Sequence, residues 1–395
     1  SKPKNINEPE DVGQDPYVKG DPNAKSNANC SVRYLIAYTD DVDAALADVN
    51  SFIQGCVDDH NAVNDLSQGF HRVELARSVE VNYAETANRI TDLGRFVSTT
   101  DGIMDNIHSL RTLYDADICQ LIVNTMDDFC GRADEIGASF STAFAITLRS
   151  CAIGNHTFAH ESGHLYGMRH DTYADDTNSP FAYGHGFVNA GATPSTRWRT
   201  VMGLNVECDD SGFDCDRLGR WSNPSLTVLG TATGTFSTED NARVAENEEA
   251  TMSAFESLVT NKSFFDSDVI ANEEEGHIEG GSSVLMPGVG QMVQYNSGSS
   301  GSARAPDITL GPGFWARPGS DFVAFDGDCG DPEALGIVLN GNEEELDEKF
   351  SLNQEVESNN ILSSGEGDSF IDLKVFPNPF RESTNVIFGL KENTS

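Results

Sequence analysis

Apolar residues fall into a few short, well-separated patterns along the first two thirds of the chain. Val32-Arg33-Tyr34-Leu35-Ile36-Ala37-Tyr38 is nearly unbroken in apolar and aromatic character and predicts a buried strand. Ala45, Val49, Phe52 and Val57 share one side of a helical period over 42–63. Val73, Leu75 and Val79 lie two or four apart, which predicts a strand over 70–81. Helical stretches follow over 85–97 and 103–113, and Ile118-Cys119-Gln120-Leu121-Ile122-Val123 reads as another buried strand. Residues 139–148 give a further strand, expected at an edge where an extended peptide can pair with it. A helix over about 155–166 comes next, then a loop-rich stretch over 171–240 with many Gly, Asn, Pro and Asp. An amphipathic helix from Asn241 to about Val259 closes the unit, with Val244, Met252, Phe255 and Val259 inward. Strands alternating with helices imply right-handed crossovers and a mostly parallel sheet, an α/β (α+β) fold.

The texture changes after residue 262. Gly and Ser increase, helical periodicity ends, and short β-like runs appear at 284–288 and 308–316. The expected division is a disordered arm or propeptide remnant over 1–29, an α/β domain over 30–261 and a small β module over 262–330. An acidic linker over 331–365 and a second β segment over 366–395 complete it. Apolar alternation in that last segment, Phe370 to Leu390, is interrupted by Phe376-Pro377-Asn378-Pro379-Phe380.

Composition narrows the function classes. The 395 residues exceed one ordinary domain, and 38% hydrophobic content suits a globular protein. No apolar run reaches membrane-spanning length. Residues 1–29 hold neither an initiator Met nor an apolar signal core, so a signal peptide, if one existed, is expected to have been removed. Against 63 acidic residues stand 25 basic ones, a net charge of −38 that repels nucleic acid and anionic membranes. Such a surface confers solubility in a salty medium; Ca²⁺ binding by Asp-rich loops is the sharper alternative. The eight cysteines form no CxxC pair, which removes zinc-ribbon and thioredoxin readings. Their even number favours disulfides and an oxidising compartment. Cys208 and Cys215 bracket one short loop, and Cys130 and Cys151 bracket another segment; these are the two expected bridges. The other four are left open, with a buried free thiol fitting Cys119.

The chemistry concentrates in His160-Glu161-Ser162-Gly163-His164-Leu165-Tyr166-Gly167-Met168-Arg169-His170. Histidines four apart on a helix project from one face, so both imidazoles reach one Zn²⁺. Glu161 adjoins the first ligand and is the natural general base. Gly167 ends the helix and turns the chain, and His170 returns as third ligand, leaving a fourth position for water as in a catalytic zinc site. Five fixed positions are expected by chance on the order of 10⁻⁵ times in a chain of this composition. Ser162 lacks a nucleophile-elbow context and reads as a spacer.

This extended motif resembles the metzincin clan, with Val201-Met202-Gly203 as its Met-turn. The resemblance places Met202 as an apolar floor beneath the ligands. The segments Cys151 to Ala159, Arg169-His170-Asp171, Tyr183-Gly184-His185-Gly186, Arg199-Thr200-Val201-Met202, Trp221-Ser222-Asn223-Pro224, Val79 to Tyr83 and Asp240 to Arg243 are similar to reprolysin-like and peptidyl-Asp metalloendopeptidases. The similarity covers roughly residues 30–260. It implies a secreted zinc endopeptidase, and cleavage beside acidic residues implies a cationic pocket, for which Arg197 and Arg199 are the candidates. Leu204 stands where related turns often carry Tyr, so a Tyr ligand is not expected. His156 and His185 are assigned structural or rim roles.

Lys374-Val375-Phe376-Pro377-Asn378-Pro379-Phe380 with Val386-Ile387-Phe388 resembles the C-terminal sorting domain of type IX secretion, which implies that machinery as a partner and a secreted or cell-surface location. The expected function is zinc-dependent peptide-bond hydrolysis by a monomer acting on protein or peptide substrates. The alternative is a surface adhesion protein that keeps the fold without the activity.

Overall fold

The computed structural model describes residues 31–68, 72–191, 193, 196–256, 261–264, 266–288, 290–305, 307–311, 313–317, 319–325, 336–340, 370–377 and 384–391. The chain divides into two compact units, one up to residue 257 apart from Leu113–Asp115, the other made of Leu113–Asp115 and the residues from 258 onward.

In the first unit, β1 (Ser31–Thr39) is buried along its whole length because both of its faces are covered. The helical period after it is divided in two, α1 (Asp40–Ala44) and α2 (Val49–Leu66), because Asp48 caps the second helix by accepting from Ser51 N at 2.9 Å. β2 (Arg72–Val81) follows, with Val73, Leu75 and Val79 buried; positions 70 and 71 of the expected strand lie outside the described residues. The next helices start later than their apolar periods suggest. α3 is Arg89–Val97, capped by Asn88, and α4 is Asn106–Leu113. β3 (Ile118–Val123) is fully buried.

β4 (Gly131–Ala133) and β5 (Phe144–Leu148) complete the sheet, in the order β2-β1-β3-β5-β4. All pairings are parallel except β4 with β5. This corrects the reading of 139–148 as an edge strand. Phe140–Thr142 form a 3-10 turn, and β5 lies inside the sheet, covered by the antiparallel β4. α5 (Thr157–Leu165) carries the motif, β6 (Trp198–Arg199) and α6 (Val206–Asp210) follow, and β7 (Asp216–Arg217) pairs with β6. A hairpin of β8 (Thr227–Val228) and β9 (Thr231–Ala232) precedes α7 (Asn241–Met252), which buries Val244 and Met252. Phe255 packs on the core just beyond α7, and Val259 lies outside the described residues.

The second unit is a parallel β-solenoid. Its strands are β10 (Asn261–Ser263), β11 (Asp268–Ile270), β12 (Glu275–Glu279), β13 (Ser283–Met286), β14 (Val293–Tyr295), β15 (Ser300–Arg304), β16 (Asp307–Leu310), β17 (Phe314–Ala316) and β18 (Asp321–Phe325). Every third strand stacks in parallel on the one before: β10-β13-β16, β11-β14-β17 and β12-β15-β18. Lys262, Val284 and Ile308 occupy one inward row and are all buried. The ammonium of Lys262 meets the buried carboxylate of Asp115 at 2.6 Å, and Tyr114 donates to Asp268 at 2.8 Å. β19 (Gly336–Asn340), within the stretch expected as linker, pairs antiparallel with β18. β20 (Phe370–Pro377) and β21 (Thr384–Lys391) form an antiparallel hairpin that pairs with β16.

Candidate metal centre

The helix carrying the motif is held at both ends. At its start His156 adopts the left-handed conformation (φ 53°), and its Nδ1 lies 2.9 Å from a carboxylate oxygen of Asp59 on α2. At its end, the backbone N–H groups of Gly137 and Ala138 donate to the carbonyls of His164 and Leu165, at 2.9 and 2.8 Å. Between these, Ser162 faces the sheet. Gln120 on β3 donates to Ser162 Oγ at 2.7 Å and to Phe158 O at 3.1 Å, while Thr147 on β5 donates to Gln120 Oε1 at 3.1 Å. Ser162 is therefore part of a buried polar anchor rather than a spacer. With the 3.6-residue period, anchoring Ser162 toward the sheet turns His160 and His164 to the opposite side of the helix.

Gly167 has φ +96°, which lets the chain reverse after the last helical turn, and a Cβ there would lie 2.8 Å from Pro180. His170 comes back against the helix. Its Nε2 is 3.1 Å from His164 Nε2 and 3.2 Å from His160 Nε2. His160 Nδ1 donates to Val201 O, and His164 Nδ1 donates to Met168 O, both at 2.9 Å. Each ring thus carries its proton on Nδ1 and turns an Nε2 lone pair inward. Lone pairs facing one another at this range repel unless a cation lies between them. Tetrahedral ligands about 2.0–2.1 Å from zinc stand about 3.3 Å apart, so these residues fit that ion. Among the described residues this is the one set of three or more metal-ligating side chains close enough to share an ion.

Met202 lies beneath the helix, fully buried. The chain approaches so closely there that a Cβ on Gly163 would meet Met202 Sδ at 2.8 Å and Met168 Sδ at 3.2 Å.

The comparisons agree with this geometry. A reprolysin-type family model described as metallo-peptidase family M12 matches residues 28–212. The peptidyl-Asp metalloendopeptidase of Stenotrophomonas maltophilia (strain K279a) is 41% identical over 233 residues, 59% of this chain and 54% of that one. That of Xanthomonas campestris pv. campestris is 40% identical over 233 residues, 59% of this chain and 53% of that one. The peptidyl-Asp metalloendopeptidase of Pseudomonas fragi is 35% identical over 184 residues, 46% of this chain but 91% of the relative. The chain belongs to the reprolysin-like M12 metallopeptidases. It spans about half the length of the Stenotrophomonas and Xanthomonas relatives.

Other segments of this M12 chain converge on His170. His185 Nδ1 donates to His170 O at 2.8 Å, Ser222 Oγ donates to His185 O at 2.7 Å, and Asn241 donates to Gly184 O at 2.7 Å. Asp171 accepts from Leu204 N at 2.8 Å and from Tyr173 N and Ala174 N, which ties the ligand loop to the Met-turn; burial raises its carboxyl pKa. Arg199 donates from Nε to Cys215 O (3.2 Å) and from Nη1 to Gly203 O (2.8 Å), leaving Nη2 without a partner among the described residues. Burial lowers its pKa to about 10, against the opposing pull of Asp171. Arg197 stacks on the ring of Phe213, 3.1 Å from its centre. The expected bridges Cys130–Cys151 and Cys208–Cys215 are both formed; Cys56 and Cys119 are free and buried.

One further neighbour was illegible in the sequence. Gly131 of β4 lies against Glu161, so close that a Cβ there would stand 2.6 Å from Oε1. Nothing in the run Cys130-Gly131-Arg132 marks it.

Proposed function

We propose that this chain is an extracellular zinc endopeptidase in which Glu161 acts as general base. The observation that carries this reading is the convergence of His160, His164 and His170 through Nε2, with Glu161 next to His160 on the same helix. Zinc held there supplies Lewis acidity at the scissile carbonyl and makes water acidic near neutral pH. Glu161 accepts the proton of the attacking water and passes it to the leaving amine. His160 and His164 keep their protons on Nδ1, fixed by the carbonyls of Val201 and Met168. In β4, Cys130, Arg132 and Asp134 direct their backbone groups at β5, so by alternation Gly131 and Ala133 turn theirs outward, where an extended substrate pairs with them.

Arg199, beside the Met-turn, receives an acidic substrate side chain through Nη2, with Arg197 as a second cation nearby. This rests on the geometry above and on the names of the relatives. Two disulfides support export, and the Lys374 to Phe380 segment assigns it to type IX secretion with the tail as sorting signal.

The test is zinc content together with hydrolysis of an Asp-containing protein substrate. Expected are one zinc per chain, loss of hydrolysis on chelation with recovery on adding zinc, and a fall of at least 10³-fold in kcat for Glu161→Ala with zinc retained. A zinc-loaded protein that cuts no peptide, with Glu161→Ala indistinguishable from it, would sink the reading.

A further inference from the structure

We infer that Gly131 is a positioning residue for Glu161, and that the Cys130–Cys151 disulfide locks the two together. The inference rests on the reading of Glu161 as general base. A Cβ at Gly131 would stand 2.6 Å from Oε1, 2.7 Å from Cγ and 2.9 Å from Cδ of Glu161. Three atoms along one side chain lie against a single α-carbon, so the absence of a side chain at 131 forms the seat of that carboxylate. The conflict at Cγ is the informative one. A displaced carboxylate oxygen can swing away at its far end, but moving Cγ requires a change at χ1 and carries the whole group with it.

Backbone conformation does not demand glycine here, since Gly131 is not among the residues with positive φ. A glycine within a strand also weakens it, and its usual reason is close approach by another group. The neighbour that approaches Gly131 is the Glu161 side chain, itself only 4% exposed. The same residue turns its backbone N–H and C=O outward along the edge of β4. Seat and substrate-pairing edge are therefore one residue, which sets the distance between the base and the bound peptide.

The covalent link is the second observation. Cys130 immediately precedes Gly131, and Cys151 ends the 3-10 turn Arg149–Cys151 just ahead of α5. The bridge spans 21 residues of sequence and fastens the strand that carries the seat to the segment that enters the helix of Glu161. β4 has three residues, and a strand that short at a sheet edge holds few hydrogen bonds of its own. Its position relative to α5 then depends on the disulfide.

The test is Gly131→Ala in the full chain, with Gly94→Ala on α3, where an added Cβ meets nothing within 4 Å, as control. General-base catalysis contributes about 10²–10⁴-fold, so a misplaced carboxylate is expected to lower kcat about 100-fold. KM should stay within about twofold, with one zinc per chain and an unchanged unfolding midpoint, while Gly94→Ala keeps kcat within a few fold. A crystal structure of zinc-loaded Gly131→Ala should show Glu161 rotated at χ1. That readout is independent of turnover, so an inactive wild-type protein would sink the proposed function without deciding this inference. The inference is overturned if Gly131→Ala keeps Glu161 in place, keeps kcat within about threefold, or loses kcat only in proportion to lost zinc. The paired variant Cys130→Ala/Cys151→Ala should lower kcat about tenfold with zinc retained; an unchanged kcat would overturn the role of the bridge.

Discussion

Gly163 and Met202 touch across the floor of the metal centre: a methyl group on Gly163 would lie 2.8 Å from the Met202 sulfur. The same methyl would press on Met168 and Trp221, both buried, so no neighbour has room to yield. Overpacking of a filled core costs about 1–3 kcal/mol. Gly163→Ala should lower stability by that amount, read by denaturant unfolding, and weaken zinc binding as His160 and His164 shift with the helix. Wild-type stability and zinc affinity in the variant would show that the floor is compliant.

His185 offers a test of how the third ligand is held. Its Nδ1 must carry the proton, because the partner at 2.8 Å is the His170 carbonyl. His185→Asn places an amide donor near the same point, whereas His185→Ala removes it. Groups that orient ligands typically contribute about 10–100-fold to metal affinity. Competition with a chromophoric chelator should give zinc affinity about tenfold weaker for the Ala variant and close to wild type for the Asn variant.

Arg199 makes two backbone hydrogen bonds, to Cys215 O and Gly203 O, and the proposed function gives its Nη2 to a substrate carboxylate. Matched peptides with Asp or Asn beside the cleavage site would report on this. Arg199→Gln is expected to reduce the Asp-over-Asn ratio in kcat/KM by about tenfold. Arg197→Gln, which loses a stack on Phe213, should change it less. An unaltered ratio in Arg199→Gln would assign the residue to bracing alone.

Asp117, buried just ahead of β3, gives stability a pH dependence of its own. Burial raises its pKa to about 7, only partly offset by hydrogen bonds from Arg33 N and Glu256 N. A carboxyl whose folded pKa exceeds its unfolded one binds more protons when folded. Its stabilising contribution is full below about pH 4 and is lost as pH rises toward about 7. Unfolding midpoints of wild type and Asp117→Asn, compared over pH 4–8, should differ by an amount that changes through this window. A constant difference would remove the assignment.

The convergence of His160, His164 and His170 was legible because a zinc site built on one helical face has a fixed sequence spacing, and the three histidines sit at it. β1, β3 and the buried positions of β2 were legible because burial on both faces, or on one, leaves apolar runs or alternation. Contacts that depend on the approach of distant segments were not. Ser162 reads as polar filler until Gln120 arrives from β3, and Gly131 reads as any loop glycine until α5 packs beside it. The edge was expected one strand too late in the chain, at β5 rather than β4, since β4 is three residues long and its outer position is a property of the sheet. The second unit showed its β character but not its winding. A coil of 21 to 25 residues is set by which strands stack, such as Lys262 on Val284 on Ile308 and Val293 between Asp268 and Phe314, and three coils of unequal length leave no visible repeat.

The Lys262–Asp115 pair bears on how this protein can be taken apart. The ammonium that fills the first inward position of the solenoid is neutralised by a carboxylate from far upstream, and the neighbouring Tyr114 reaches Asp268. A fragment beginning at residue 258 would lose the Asp115 carboxylate that meets this buried ammonium, and breaking such a pair costs about 3–5 kcal/mol. The solenoid is therefore not a portable cassette: transplanting it onto another protein requires a graft that brings Leu113–Asp115 along, or a Lys262→Met replacement that removes the need for them.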